Sequence, residues 1–362
     1  MNEQKNRLNQ REQLKRQNRF DRQSQVNEYT ASQNFWQKAE CHAHMVLDGV
    51  DFRAALARHE REPEEAFIRG TLAAYRDAGI TYIRDGGDNE WTSVRARELA
   101  EEYGIEYRTP IFAIHKNGFY GKIVGKCFDT IAEYRQLIGE VKRSGGDFVK
   151  VMLGGILDFG HYPVITGGGL PGTWMKEMVH IAHEEGFSVM AHVNGEQAVR
   201  EALEAGIDSL EHGFLQTEET LRLLAETGAV WVPTLAPVMN QIGDGRFPNE
   251  VLTAYGEGQM HNIRRAMELG VKLAAGSDAG AYRVMHADGF RDELKWMFAA
   301  CGDGLFSDGK ERMCGDIYSA LQKPNLEKQN LEKQSLETTD MEKLKQILQS
   351  GAEEIAVRFR CT

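Results

Sequence analysis

The chain has little with which to cross-link itself and nothing with which to cross a membrane. Among its 362 residues only five are cysteine. Cys41, Cys127, Cys301, Cys314 and Cys361 are widely spaced, odd in number and without a CxxC pair. That excludes a regular disulfide framework or a thiolate zinc site and fits free thiols in a reducing compartment. No apolar run approaches the roughly 20 residues that span a bilayer. The polar first residues lack the apolar stretch of a signal peptide. Basic residues are outnumbered, with a formal net charge of −11, which disfavours a general nucleic-acid binder. Neither HExxH nor GxSxG occurs, so neither a zincin helix nor a serine nucleophile elbow is expected. The expectation is a cytoplasmic protein whose partner is a small-molecule substrate, with neither nucleic acid nor membrane.

What is present falls into four segments. Residues 1–35 are rich in Gln, Asn, Arg and Lys, with too little apolar surface to offset ordering entropy, and read as a polar arm open to homo-oligomer contacts. Residues 36–320 alternate short apolar runs with amphipathic helical ones. Residues 321–340 contain "LEKQNLEKQSLE", whose five-residue period fits neither helix face nor strand, and read as a low-complexity connector. Residues 341–362 return to a helical pattern that can dock on the body.

The apolar runs include "AECHAHMV", "GITYIRDGG", "DFVKVMLGG", "FSVMAHV", "IDSLEHGF" and "VKLAAGSDAG". Helical segments between them frequently end in glycine, as helix C-termini do. Eight strands in alternation with helices predict an α/β fold of the (β/α)8 TIM-barrel type, with the site at the C-terminal strand ends. On strand 1, His42 and His44 stand at i and i+2 and share one face. Lys150 lies on strand 4, His192 ends strand 5, His212 ends strand 6 and Asp278 ends strand 8. Each alone reads as a core or capping residue; together they read as one site. Imidazole and carboxylate ligands suit Zn²⁺, with Mn²⁺ or Fe²⁺ as alternatives.

The ordered set HxH, Lys, His, His, Asp on successive strands resembles the amidohydrolase superfamily. Within it, "GITYIRDGGD", "DFVKVMLGG", "IDSLEHG" and "AAGSDAG" are similar to the prolidase and imidazolonepropionase-like branch, over roughly residues 38 to 300. The resemblance implies two divalent metal ions: His42 and His44 on one, His192 and His212 on the other, and Lys150 between them as a carbamate formed with CO₂. Asp278 would bind the first metal and act as the catalytic proton carrier. It implies an enzyme that cleaves an amide or peptide-like C–N bond of a small molecule, of dipeptide or N-acyl amino acid type, with water activated by the metals. A deaminase, cyclic amidase or lactonase on the same barrel stays open, as does a ligand-binding barrel without turnover. Many family members carry a β-sandwich built from both termini; no accessory sandwich is evident here.

Loops after the strands should select the substrate. The side chains expected to reach it are His115, Tyr120, His161, Tyr162, Arg283 and His286, with Lys116, Lys122 and Arg283 suited to a carboxylate. Arg84 and Asp85 read as an internal ion pair. "GGGLPG", Gly167 to Gly172, reads as an active-site loop rather than a nucleotide fingerprint, because no βαβ unit surrounds it. His180 and His183 share a helix face on the outer ring and are not expected to bind metal.

Overall fold

The computed structural model describes residues 34–301 and 333–360. Most of the polar arm, the expected barrel residues 302–320, the first part of the connector and residues 361–362 lie outside the described residues. The strands are β1 (Ala39–Ala43), β2 (Tyr82–Asp85), β3 (Glu106–Arg108), β4 (Ala113–Lys116), β5 (Gly125–Phe128), β6 (Val149–Met152), β7 (Ile156–Leu157), β8 (Ile165–Thr166), β9 (Val189–Val193), β10 (Ser209–His212) and β11 (Val230–Val232). The helices are α1 (Phe52–His59), α2 (Glu65–Asp77), α3 (Thr92–Ala100), α4 (Ile131–Arg143), α5 (Gly172–Glu184), α6 (Glu196–Ala205), α7 (Glu218–Thr227), α8 (Ala236–Met239), α9 (Asn249–Leu269), α10 (Asp288–Ala299) and α11 (Lys333–Arg358).

Strands β1, β2 and β3 pair in parallel in that order, and β11, β10, β9, β6, β4 and β5 form a second parallel run. One barrel strand is broken into β3 and β4 at Thr109–Phe112, where the Asp147 N–H donates to the Thr109 carbonyl. The ring closes through residues 272–279. Their backbone exchanges hydrogen bonds with Trp231 on β11, and with Cys41, His42 and His44 in and beyond β1. The expected (β/α)8 architecture is therefore present, and no accessory β-sandwich occurs among the described residues. No described helix is long and apolar enough to cross a membrane.

Local chemistry explains the element ends. Thr130 and Glu133 form a reciprocal capping box at the start of α4, satisfying two otherwise orphaned amides. Gly206, Gly228 and Gly270 end α6, α7 and α9 in the left-handed conformation, which glycine adopts without a Cβ clash. In α6, Val199, Ala202 and Leu203 are buried, the stripe that lays a helix on a sheet. All residues of β1, β2, β6, β9, β10 and β11 are buried, as parallel strands covered on both faces require.

Two boundaries differ from expectation. Helix α11 starts at Lys333, inside the expected connector. Leu, Glu, Lys and Gln all favour helix, and that propensity outweighs the five-residue period. His115 and Lys116, expected on a loop, lie instead on β4.

Helix α11 and the residues after it lie against the strand starts. Ser188 donates to the Arg358 carbonyl, and Arg358 donates to the carbonyls of Asp208 and Gly228. Lys272 pairs with Glu354 at 3.2 Å, and Arg360 with Glu106 at 3.3 Å. Phe359 is fully buried; its ring packs at 5.2 Å against Phe148 and 4.5 Å from the Arg84 guanidinium. The N-terminal end of the barrel is thus sealed, and the chemistry is confined to the other end. Phe359→Ala should cost about 3–5 kcal/mol, read as a lowered urea midpoint. A loss below about 1 kcal/mol would show that the ring is not part of the seal.

Candidate active site

His42 and His44 project from the end of β1 to the same side, as their spacing predicts. Each Nε2 lies 3.3 Å from Asp278 Oδ1. Gly86, just after β2, makes the room: a Cβ there would overlap the His44 ring. The His42 and His212 rings are 5.0 Å apart, and those of His192 and His212 4.4 Å. Single ligand atoms of His42, His212 and Asp278 all lie within 4.8 Å of one another.

Two of these residues depend on an irregular backbone. Ser209 and Glu211 face the barrel interior, so strand alternation should turn His212 outward. Its φ of 68° turns it back. Asp278, with φ 57°, likewise follows an inward Ser277, which bonds Glu40 through both its amide and its hydroxyl. Left-handed backbone at a non-glycine residue costs energy and clusters at functional sites.

The donor atoms are prepared for a cation. His192 donates Nε2–H to the Gly155 carbonyl, which leaves Nδ1 unprotonated. Burial chiefly, with the Lys150 charge, lowers His42 to about 4 and His192 to about 3, so both are neutral imidazoles at pH 7. Burial also holds His212 well below its usual value. Burial opposes ionisation of Asp278, but the surrounding His42, His44 and His212 keep it well below the usual carboxylate range. Lys150 is buried and its Nζ has no hydrogen-bond partner in the protein. Burial drives that amine down to about 8. His42 Nε2 likewise has none. Neutral imidazoles, a carboxylate and an unpartnered amine together fit divalent metal ions.

Beneath the cluster lies a brace. His42 donates Nδ1–H to Glu211 at 2.8 Å, and Arg84 donates to both Glu211 oxygens at 2.8 and 3.0 Å. Arg84 and Glu211 side chains are fully buried. Burial would raise Glu211, but the Arg84 charge and the His42 hydrogen bond hold it at about 2. Asp85 is not the partner of Arg84, contrary to expectation. Adjacent strand residues face opposite sides, and Asp85 instead accepts from Tyr107 and from the Met45 and Gly87 amides.

The cluster floors a cavity of about 400 Å³, walled by Met152, Leu157, Phe159, Phe214 and Tyr120, among others. Of the six expected substrate contacts only Tyr120 lines it; its ring packs 4.9 Å from His192. His115 is buried on β4 and donates to the Lys116 carbonyl. His161 pairs with Asp158 at the exposed tip of the β7–β8 hairpin. Tyr162 stands on Tyr255. Arg283 points to Asp244 at 3.8 Å. His286 is locked between the Leu47 carbonyl and the Tyr75 hydroxyl. Lys116 pairs with Asp129, and Lys122 does not line the cavity. The Gly167–Gly172 loop precedes α5, and Gly167 abuts Tyr120. His180 and His183 pair with Glu184 and Asp208 on the outer surface.

Residues 41–309 match the model of the amidohydrolase family. The chain belongs to that family. Uncharacterized proteins of Mycobacterium tuberculosis (H37Rv) and Mycobacterium bovis are each 28% identical over 257 residues, covering 67% of this chain and 62% of theirs. This amidohydrolase thus spans about three-fifths of the length of those relatives. Its fold is similar to that of a Xaa-Pro dipeptidase with bound methionine in the active site (TM-score 0.56, 21% identity, 73% of this chain and 71% of that one). A prolidase complexed with N-methylphosphonate-L-proline gives a TM-score of 0.57 at 21% identity over 73% and 71% of the two chains. An A. niger ochratoxinase gives 0.56 at 21% over 66% and 62%.

Glu211 and the residues after β11 escaped the sequence reading. "SLEHG" showed the histidine but not what its glutamate holds, and residues 233–247 carry no period. Glu211→Gln should weaken metal affinity about 10- to 100-fold, measured by competition with a chromophoric chelator. Unchanged affinity in a folded variant would remove the brace from metal binding.

Proposed function

We propose that this amidohydrolase is a binuclear metal-dependent hydrolase that cleaves an amide or peptide-like C–N bond in a dipeptide or N-acyl amino acid. The observation that carries the reading is the convergence of His42, His44, Lys150, His192, His212 and Asp278 on the floor of one apolar-walled cavity. His42, His44 and Asp278 would hold one ion, and His192 and His212 the other. Zinc is the metal proposed, with manganese or iron as alternatives. When bound, such ions supply a nucleophilic water at neutral pH and polarise the scissile carbonyl.

Lys150 supports the bridging role through its own chemistry. A deprotonated, dry amine can add to CO₂, forming an N–C bond and releasing a proton, which converts it into an anionic ligand. The unpartnered, buried Nζ in the cavity floor supports that reading. Asp278, in contact with both β1 imidazoles, would take a proton at a carboxylate oxygen and hand it to the departing nitrogen. His42 is kept in the tautomer that presents Nε2 by Glu211. The apolar walls exclude water from the substrate side.

Two measurements test the reading. The protein isolated from zinc-supplemented medium with bicarbonate should bind roughly two metal ions, and Lys150→Ala should lose at least one. Retention of both by Lys150→Ala would overturn the bridging role. Screening dipeptides, N-acyl amino acids, cyclic amides and lactones should reveal amide cleavage that Asp278→Asn slows about 10²- to 10⁴-fold. Turnover confined to lactones or cyclic amides, or a wild-type rate in Asp278→Asn, would refute it.

A further inference from the structure

Arg246 is not among the residues proposed to hold metal, yet it lines the same cavity. Its guanidinium lies 4.2 Å from the centre of the Tyr282 ring and 5.4 Å from that of Phe247. Two rings therefore fix a planar cation at the wall, a geometry in which arginine keeps its donors free at little entropy cost. None of the ion pairs among the described residues uses it. The nearby Asp244 accepts only its backbone N–H, at 2.9 Å, and faces Arg283. A cation held by two rings, outside every described ion pair and opening on an apolar-walled cavity, is suited to receive an anion.

We propose that Arg246 is the anchor for a substrate carboxylate, which makes it the specificity-determining residue of this site. The inference rests on the amide-hydrolase reading above and narrows it. The substrate has an apolar body to fill the space between Leu157, Phe159 and Phe214, a scissile amide over the cluster, and a free carboxylate at its far end. An N-acyl amino acid or dipeptide with a large apolar side chain fits; its carboxamide does not. Arg53 is the competing cation. It also lines the cavity, but rests at 4.9 Å on Phe52 alone, and a single ring orients it less. Lys116 and Arg283 already have carboxylates beside them.

The test uses the metal-loaded protein with N-acetyl-L-phenylalanine and its carboxamide, read both as binding by calorimetry and as turnover. Wild type should bind the acid about 10- to 100-fold more tightly than the carboxamide. Arg246→Ala should abolish that preference by weakening the acid alone, Arg246→Lys should restore part of it, and Arg53→Ala should leave it intact. Arg246 is exposed, so its removal takes nothing from the core. A preference that persists in Arg246→Ala, that disappears in Arg53→Ala instead, or that wild type never shows would overturn the assignment. A preference seen in binding would uphold the anchor even where neither compound is hydrolysed, and absence of amide cleavage across the wider screen would sink the hydrolase reading alone, so the two failures are distinguishable.

Discussion

The site hangs on one buried chain of hydrogen bonds, Arg84 to Glu211 to His42. An ion pair taken out of water is expensive, and a hydrophobic replacement is frequently as stable. Its value here lies in the proton it places. Burial opposes ionisation of Glu211, and the Arg84 guanidinium on both its oxygens is the foremost influence that keeps it an anion able to accept from His42 Nδ1. Without the guanidinium, burial would push the carboxyl toward its protonated form, which can donate to the imidazole. The tautomer would then reverse, and Nε2 would present a hydrogen to the cavity where a lone pair is needed. The charge at the barrel floor therefore sets the chemistry one layer above it.

That layer is crowded because strand alternation is overridden twice. A regular barrel strand sends only every second side chain inward. At His212 and Asp278 the left-handed backbone adds an inward residue directly after another, so structural Ser209, Glu211 and Ser277 coexist with the candidate ligands above them. On β10 the brace residue Glu211 and the candidate ligand His212 are consecutive. Strain at two positions gives the barrel both a floor and a working surface.

This division decides what could be read from the sequence. His42 and His44 were legible because a two-residue period has one meaning on a strand. His192, His212 and Asp278 were legible because each ends an apolar run, and Lys150 because it interrupts one; the alternation of runs with helices locates the barrel mouth. Arg84 was misassigned to Asp85 because sequence adjacency is not adjacency across a strand. Five of six expected loop contacts turned elsewhere, since loop residues follow no period: His286 is locked by Tyr75, Arg283 is drawn to Asp244, and His115 lies in a strand. Arg246 and the Tyr282 ring that holds it are distant in sequence, and only the closed barrel brings them together.

The seal at the strand starts has a consequence for how the protein is made. Phe359, which covers Arg84, is translated long after all the barrel strands. Until it arrives, the guanidinium stands at an open end where water can compete for its hydrogen bonds and weaken its hold on Glu211. A nascent barrel can thus assemble its strands through nearer contacts while its lower end stays hydrated. The C-terminal segment is thus tied, through Phe359, Arg84 and Glu211, to the hydrogen bond that orients His42 at the opposite end of the barrel.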